Sequence, residues 1–421
     1  MSATPRGGVL IVGAGAAGAT AATELRALGY DGPLTVVNGE THAPYNRTTV
    51  NKGLLQGDMT LDSVALAVPS DPGTTWVLGS RAVGLDTAGR RVRLDSGASL
   101  GYGSLLVATG AHPRRIPAPH PPGVASRVRV LRTAEDALGL RALLAEAAGR
   151  GGADSPVRVA VVGGGLLGAE TADALASGGA EVVLVDPDPA PLGRVLGPTV
   201  GGWLRQRHEQ HLRTAFGVTV TGLGRAGADV VVSLSDGRAV AVDLVLAAVG
   251  VEPSVGWLAG SPVAVGDGVH ADGRLRALGA VGVYVAGDLA NVETPAGARR
   301  IEHWGHALAQ GRHAARVIAH DLGLAEDPGP FEPSLSFATR LHGKAMTVVG
   351  TWHPSLREVV LAGDVADDAV TVGFADADDR LVGAVALGSP KVVNRVRSVV
   401  AGRGPLGAAR EAVAAVAAPR A

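Results

Sequence analysis

Two glycine-rich turns are the residues of this chain whose spacing most clearly indicates chemistry. Residues 13–18 read Gly-Ala-Gly-Ala-Ala-Gly and residues 163–168 read Gly-Gly-Gly-Leu-Leu-Gly, each between an apolar run and an alanine-rich run. In such a turn the first glycine permits a tight bend, the second lets the backbone approach a pyrophosphate, and the third lets helix and strand pack closely. The chain is therefore predicted to bind two nucleotide cofactors, as an electron relay requires.

An acidic residue accompanies each turn at a position suited to ribose hydroxyls. Glu40 comes shortly after the apolar run at 34–37, and Asp186 directly follows the run at 182–185. A carboxylate at Asp186 binds the 2′- and 3′-hydroxyls of NAD and repels a 2′-phosphate, which favours NADH. Arg194 lies further along and is able to pair with a phosphate, so NADPH stays open as the less favoured nucleotide. The plain structural alternatives are a solvated loop carboxylate for Glu40 and a turn-forming aspartate for Asp186.

The elements that must position these turns repeat along the chain. Each half is predicted to fold as strand, helix and strand: 9–12, 18–28 and 34–37 in the first, and 159–162, 168–177 and 182–185 in the second. Such a repeat is typical of an α/β chain with two Rossmann-like nucleotide-binding domains.

Proline-rich segments suggest where the domains meet. The stretch 111–123 is predicted to be a connector, and the apolar runs at 244–249 and 283–286 are predicted strands that return the chain to the first domain. A linker at 322–330 precedes strand-like runs that indicate a C-terminal α/β domain. The predicted domains are 1–116 with 244–322, then 117–243, and finally 331–421.

Composition excludes several classes of protein. Among 421 residues, 38 are Lys or Arg and 39 are Asp or Glu, so the formal net charge of −1 gives no reason to expect nucleic acid. The chain has no cysteine, which excludes disulfides and dithiol redox chemistry. No apolar stretch reaches the roughly 18 residues of a membrane span. The first residues do not resemble a signal peptide, so a cytoplasmic location is expected.

Histidine pairs do not indicate a metal site. His208 with His211, and His303 with His306, lack a third ligand at suitable spacing, so no metal is expected and the helical pair is predicted to be at the surface. Arg205, Arg207 and Arg213 form a basic run that either docks an acidic ferredoxin or is simply solvated.

Residues 44–52, Pro-Tyr-Asn-Arg-Thr-Thr-Val-Asn-Lys, resemble the PYxRPPLSK segment of the ferredoxin reductase family. This family includes the putidaredoxin and rubredoxin reductases and belongs to the pyridine nucleotide-disulfide oxidoreductase superfamily, without redox cysteines. Four further segments agree with the family's order: Leu-Val-Ala-Thr-Gly at 106–110, Gly-Ala-Glu at 168–170, Val-Ala-Gly-Asp at 285–288 and Glu-His-Trp at 302–304. The resemblance covers the chain from its start to about Leu322.

The resemblance implies an FAD site, an NADH site and a catalytic ion pair between Lys52 and Glu170 beside the flavin. The FAD site comprises Gly13, Gly15, Ala17, Glu40, Arg47 and Lys52, completed by Arg132, Asp288 and Trp304. NADH lies across Gly165, Leu167, Glu170 and Asp186. Further cofactor-binding residues are Gly18, Val83, Thr109, Gly110, Gly163, Gly168, Arg194, Gly250, Gly287, Glu302 and His303.

The lack of cysteine selects a branch of this superfamily. Lipoamide dehydrogenase, glutathione reductase and thioredoxin reductase all need thiols, so the chain resembles the branch in which the flavin passes electrons to an external acceptor. The implied function is an FAD-dependent NADH oxidoreductase whose partner is a ferredoxin-type iron–sulfur protein. A nucleotide-bound redox sensor similar to apoptosis-inducing factor is a remote alternative.

Two segments depart from the family pattern. Thr48, Thr49 and Asn51 replace two prolines and a serine, and residues 337–343 read Phe-Ala-Thr-Arg-Leu-His-Gly where the family has FWSDQYG. Ala338 in place of tryptophan either opens a substrate pocket, with Arg340 and His342 binding an anionic or carbonyl group, or marks a loop that has diverged. The alternative function is therefore a flavoenzyme acting directly on a small molecule.

Overall fold

The computed structural model describes residues 7–151, 155–294, 297–332, 336–388 and 390–417. The described residues form two compact units. The first is drawn from Met1–Thr48, Met59–His112 and Val251–Pro333, and the second from Thr49–Asp58, Pro113–Gly250 and Ser334–Ala421.

The strands and helices follow in chain order. The strands are β1 Val9–Val12, β2 Leu34–Asn38, β3 Thr74–Leu78, β4 Ala82–Asp86, β5 Arg91–Leu94, β6 Ser99–Gly101, β7 Ser104–Val107, β8 Ala111–Pro113, β9 Val128–Val130, β10 Arg158–Val162, β11 Glu181–Asp186, β12 Arg213–Phe216, β13 Val220–Ala226, β14 Asp229–Leu234, β15 Ala239–Val242, β16 Leu244–Ala247, β17 Val251–Pro253, β18 Val265–Gly266, β19 Gly268–Ala271, β20 Val283–Val285, β21 Ala290–Val292, β22 Arg299–Arg300, β23 Ser336–Leu341, β24 Lys344–Gly350, β25 Arg357–Asp364, β26 Ala369–Ala375 and β27 Leu381–Leu387. The helices are α1 Ala16–Ala27, α2 Gly53–Gln56, α3 Pro122–Ala125, α4 Ala134–Gly151, α5 Leu166–Ser177, α6 Gly193–His211, α7 Trp304–Asp321, α8 Lys391–Ala401 and α9 Leu406–Ala417.

The first unit is organised by a parallel sheet with strand order β20-β7-β1-β2-β3. Val9 of β1 pairs with Leu34 on one side and Ser104 on the other. Every residue of β1 and β7 is buried, as expected for a parallel strand with both faces covered. Helices α1 and α7 approach so closely that a Cβ on Gly311 would lie 2.3 Å from the carbonyl oxygen of Ala17. The glycine turn at 13–18 is thus held between a buried strand and a tightly packed helix.

The second unit combines a parallel sheet with an antiparallel one. The parallel sheet has the order β12-β11-β10-β16-β9, and the C-terminal sheet has the order β23-β24-β27-β26-β25. Residues of α6, such as Leu196 and Leu204, share one apolar core with Val372 and Phe374 of the C-terminal sheet. The structure confirms the predicted α/β class with two Rossmann-like cores.

Some boundaries differ from the expected ones. Helices α1 and α5 begin two residues earlier than predicted, because Gly15 and Gly165 occupy the N-cap positions and the helix starts at the next residue. Strand β16 pairs with β10 in the second unit, whereas a return to the first domain was expected at residue 244. The first unit resumes at Val251. A buried apolar strand fits either parallel sheet equally well, so its sequence does not specify its neighbour.

The proline-rich stretch at 111–123 is not entirely irregular. It contains β8, which pairs with β17, and the start of α3, where Pro122 occupies the first turn. Proline is favoured there because its missing N–H would have no intrahelical partner. Within the part of the chain that the structure describes, no helix is long and apolar enough to cross a bilayer.

Candidate functional site

The first glycine turn has the shape that a dinucleotide requires. Gly13 adopts a φ of +107°, and a Cβ there would lie 2.1 Å from the carbonyl oxygen of Ala108. A Cβ on Gly18 would lie 1.8 Å from the carbonyl oxygen of Gly13. Around Gly15, in contrast, nothing lies within 4 Å of a Cβ position. Two glycines therefore serve close packing, while Gly15 leaves open space before the first N–H groups of α1.

The second turn repeats this geometry. Gly163 has a φ of +109°, and its Cβ would lie 2.2 Å from the carbonyl oxygen of Ala248. A Cβ on Gly168 would lie 1.8 Å from the carbonyl oxygen of Gly163, and the space around Gly165 is open. Leu167 lies in the first turn of α5, directly after the open glycine. Each unit thus contains a cradle that fits a pyrophosphate at a helix N-terminus.

Glu40 in the first unit is held by two neighbours. The hydroxyl of Tyr45 donates a hydrogen bond of 2.6 Å to one carboxylate oxygen, and Arg47 forms an ion pair with the other. The guanidinium of Arg47 also lies 5.7 Å from the centre of the Tyr45 ring. The structure therefore brings Glu40 and Arg47 together, and it adds Tyr45, which the sequence reasoning did not single out although it lies in the family-like segment at 44–52.

Thr109, Gly110 and Gly287 bend the chain around the parallel sheet of the first unit. The hydroxyl of Thr109 donates a 2.8 Å hydrogen bond to the carbonyl of Ser254, and Gly110 has a φ of +64°. Gly287 has a φ of +92°, and its N–H donates to the side chain of Gln310 at 2.7 Å. These contacts fix the ends of strands β7 and β20.

The segment around Glu302 closes the same unit. Arg300 donates to the carbonyl of Asp288 at 3.0 Å and forms an ion pair with Glu302. His303 caps α7 because its Nδ1 accepts a hydrogen bond from the N–H of Gly305, and Trp304 is the first residue of that helix. Val83 lies apart on β4, with 48% of its surface exposed. The exposure of Val83 gives no support for a role in cofactor binding.

Glu170 is the most heavily coordinated candidate in the second unit. Lys52 Nζ lies 3.1 Å from Glu170 Oε1, and Asn51 donates to Oε2 at 2.8 Å. The hydroxyl of Thr339 on β23 donates to Oε1. The carboxylate is buried, whereas 46% of the Lys52 side chain is exposed. A buried carboxylate needs such donors, and here they also orient an ammonium group whose outer side faces solvent.

Asp186 connects the second glycine turn to the loop that follows β11. Its Oδ2 accepts from the N–H of Gly164 and its Oδ1 accepts from the N–H of Asp188 at 2.7 Å. Arg194 forms a two-point ion pair with Asp188, and 81% of its side chain is exposed. The sequence reasoning did not identify Asp188. The signal that could have identified it is its position two residues after the end of β11.

Arg132 and Gly250 lie at other ends of elements in the second unit. Arg132 follows β9, and its backbone N–H donates to Asp136 at 2.9 Å. Gly250 follows β16 with a φ of +93°, a conformation that favours glycine. The space beside it is open, since nothing lies within 4 Å of its Cβ position.

The segment at 337–343 has two differently exposed faces. Ala338 and Arg340 are exposed on β23, while Thr339 and Leu341 are buried, as strand alternation requires. Arg340 donates to the carbonyl of Gly343 at 2.8 Å. Ala338 and Arg340 therefore lie on the exposed face of this strand.

His342 is not available to bind a substrate oxygen. Its Nδ1 lies 3.1 Å from Asp173, its Nε2 lies 2.8 Å from Nδ1 of His208, and only 5% of its side chain is exposed. The expectation that His208 is a surface residue is wrong, because it is fully buried on the side of α6 that contacts His342. Burial lowers the pKa of His208 to about 3, and the neighbouring His342 acts in the same direction.

The basic run on α6 and β12 is internally neutralised. Arg205 pairs with Glu209, Arg207 pairs with Asp368, and Arg213 pairs with Glu181. These three arginines therefore do not present an uncompensated positive surface to a ferredoxin. Among the residues described, no group of three or more His, Asp or Glu side chains has the arrangement of a metal site.

Comparison with known proteins identifies the family. Residues 7–311 match the model of the pyridine nucleotide-disulphide oxidoreductase family, so the chain belongs to this family. The chain contains no cysteine, as expected for a member without redox thiols. The family predicted from the sequence motifs is confirmed.

The similar proteins are reductases of ferredoxin-dependent systems. The chain is 30% identical over 386 residues to the ferredoxin–NAD(+) reductase component of a p-cumate 2,3-dioxygenase system from Pseudomonas putida, covering 91% of this chain and 90% of that protein. It is 31% identical over 417 residues to the corresponding component of an anthranilate 1,2-dioxygenase system from Burkholderia cepacia, covering 95% of each. The fold matches a covalent putidaredoxin reductase–putidaredoxin complex with a TM-score of 0.86 and 26% identity, over 99% of this chain and 100% of that one.

Replacing single glycines of the first turn separates packing from cofactor binding. Gly18→Ala places a methyl group 1.8 Å from the carbonyl oxygen of Gly13. We therefore expect the free energy of unfolding, measured in urea, to fall by ~1–3 kcal/mol. Gly15→Ala meets no atom within 4 Å and is expected to unfold like the parent. Because its methyl group enters the open space of the cradle, Gly15→Ala should instead lower the ratio of flavin to protein. Equal stability of both variants would contradict the packing role of Gly18.

Removing the Thr339 hydroxyl tests the support of Glu170. Thr339→Val leaves the buried carboxylate without one donor, and we expect a loss of roughly 1–3 kcal/mol in the free energy of unfolding. Thr371→Val is the matched control, since Thr371 is also buried in the C-terminal sheet but lies on β26. The prediction is wrong if the two variants unfold at the same urea concentration.

Proposed function

We propose that this chain is an FAD-dependent NADH oxidoreductase that passes electrons to a ferredoxin-type iron–sulfur protein. The observation that carries the proposal is the pair of matching glycine cradles in a chain that has no cysteine. Two cradles suit a flavin and a nicotinamide nucleotide, and the absence of thiols leaves an external protein or molecule to receive the electrons. The relatives named above are reductase components, and this chain aligns with nearly their whole length. They support the same function.

The residues of the chain have distinct tasks in this function. The cradle at 13–18, with Glu40 and Arg47, binds FAD, and the cradle at 163–168, with Asp186, binds NADH. Thr109, Gly110, Gly287, Asp288, Glu302, His303 and Trp304 shape the FAD domain, as the family resemblance implies. When bound, FAD accepts a hydride from NADH and releases electrons one at a time. The protein itself orients the two nucleotides and supplies fixed charge.

We assign the catalytic ion pair to Lys52 and Glu170. Glu170 is held from three sides, so it in turn holds the Lys52 ammonium in one place. A fixed ammonium stabilises negative charge that develops on a nearby group during electron transfer, at no cost of reorganisation. Asn51 and Thr339 act through Glu170 and are positioning residues.

The ferredoxin-type acceptor is favoured over direct action on a small molecule. The structure of putidaredoxin reductase bound covalently to putidaredoxin has the same fold over the whole chain. The residues that suggested a substrate pocket support it poorly, because Ala338 and Arg340 are exposed and His342 is engaged with Asp173 and His208.

The proposal includes a cytoplasmic location, where NADH is available. Fractionation of cells that produce the untagged protein tests this location.

The acceptor is tested by stopped-flow reoxidation of the NADH-reduced protein. A panel of oxidised ferredoxins is mixed with the reduced protein, and air-saturated buffer is the control. We expect at least one ferredoxin to reoxidise the flavin much faster than air, with a rate that falls as salt is added, because protein electron transfer partners associate through complementary charge. If no ferredoxin exceeds air, the small-molecule alternative replaces this proposal.

The ion pair is tested by Lys52→Met and Lys52→Arg. Methionine has a similar length but no charge, so flavin reduction by NADH is expected to slow by about tenfold or more, the loss of one charge-assisted interaction. Arginine keeps the charge and should retain a larger part of the rate. Rapid-mixing absorbance at the flavin band measures both rates, and an unchanged rate in Lys52→Met would remove Lys52 from the catalytic residues.

A further inference from the structure

The loop after β11 contains a second carboxylate that controls the charge around the NADH cradle. Asp188 accepts hydrogen bonds from Arg194 at both oxygens, 2.7 Å from Nε and 2.9 Å from Nη2. This two-point arrangement uses the same donors with which an arginine binds a phosphate. Asp188 thus occupies the part of Arg194 that would recognise a phosphate group.

The backbone holds Asp188 and Arg194 in place next to the glycine turn. The N–H of Asp188 donates to Asp186, and its carbonyl accepts from the N–H of Gly217. Leu192, two residues before Arg194, donates its N–H to the carbonyl of Gly164 in the cradle. Hydrogen bonding to Asp188 raises the pKa of Arg194, and the charge of Asp186 acts in the same direction. The ion pair is therefore formed within the loop that follows β11, and backbone hydrogen bonds attach this loop to the second glycine turn.

The charges at this point disfavour an anion. Asp186 and Asp188 place two carboxylates here. Arg194 pairs with Asp188, and the nearby Arg205, which donates to the carbonyl of Pro189 at 3.0 Å, pairs with Glu209. In dinucleotide-binding folds an acidic residue at the end of this strand faces the adenosine ribose, and a nearby arginine accommodates the 2′-phosphate where one is bound. Here that arginine is present but neutralised.

We propose that Asp188 excludes 2′-phosphorylated nucleotides from the second cradle by holding Arg194 in an ion pair. The inference rests on the proposed function, because it assigns the second cradle to a nicotinamide nucleotide. Asp186 selects the free ribose, and Asp188 keeps the guanidinium of Arg194 from offsetting that selection. Freed from Asp188, Arg194 provides a binding group for NADPH.

Titration calorimetry on the oxidised, FAD-loaded protein tests this without any redox reaction. The probes are ADP-ribose and 2′-phospho-ADP-ribose, which differ only in the 2′-phosphate. The parent is expected to bind ADP-ribose much more tightly. Asp188→Asn keeps the side chain's size and every backbone contact of residue 188, and it should raise the affinity for 2′-phospho-ADP-ribose by roughly tenfold or more, the effect of one charge-assisted interaction. Its affinity for ADP-ribose should change by less than about threefold, because removing a rim charge alone has a small effect.

Three further variants decide between Arg194 and a general charge effect. In Asp188→Asn with Arg194→Gln, the gain should disappear, since the guanidinium that receives the phosphate is gone. Asp188→Ser should reproduce the gain of Asp188→Asn if that variant folds poorly. Asp236→Asn, which breaks an exposed ion pair with Arg238 elsewhere in the second unit, should leave both affinities unchanged.

The outcomes separate this inference from the proposed function. No gain in either Asp188 variant, or a gain that survives the loss of Arg194, overturns the role of Asp188. A parent that binds neither probe overturns the inference together with the assignment of the second cradle. Binding as expected in a protein that reduces no ferredoxin leaves the inference standing and removes only the proposed acceptor.

Discussion

The buried carboxylate of Glu170 is the interaction on which the second unit depends most. Its donors come from parts of the chain far apart in sequence: Asn51 and Lys52 from the segment before α2, and Thr339 from the C-terminal sheet. A buried charge without partners is costly, so each donor is required where it is found. The same carboxylate therefore brings the segment 49–58 into the second unit and fixes the β23 strand against α5.

A second contact of the same kind lies one turn further along α5. Asp173 accepts from the backbone N–H of His342 and pairs with its ring, which in turn contacts the buried His208. Glu170 and Asp173 are three residues apart on one face of α5. Their partners Thr339 and His342 are likewise three residues apart, on β23 and the turn that follows it. Polar side chains on α5 thus hold one edge of the C-terminal sheet, and the apolar core that α6 shares with Phe374 packs against the same sheet.

The sequence predicted the local parts of this structure well, because they follow from single residues and their near neighbours. The glycine turns, their strands and the acidic residues after them could be located from spacing alone, and the Lys52–Glu170 pair, implied by the family resemblance, is formed in the structure. Apart from that pair, contacts between distant segments could not be foreseen. Asn51 and Thr339 lie in the segments at 44–52 and 337–343, yet nothing in those segments indicates that both side chains donate to Glu170. His208 was expected at the surface because periodicity does not show what packs on a helix.

Charge compensation explains why residue type alone misleads in this chain. Arg194, Arg205, Arg207 and Arg213 each invite a role in binding an anion or an acidic partner, yet each is paired with a carboxylate of the second unit. An arginine whose donors are already taken by a carboxylate, as in the pair of Arg194 with Asp188, is not available to bind an anion. Whether an arginine binds an anion therefore depends on its ion pair. The nucleotide specificity can change when the paired acid is replaced while the arginine stays. Under the proposal above, nucleotide choice depends on a residue beside the binding group as much as on the group itself.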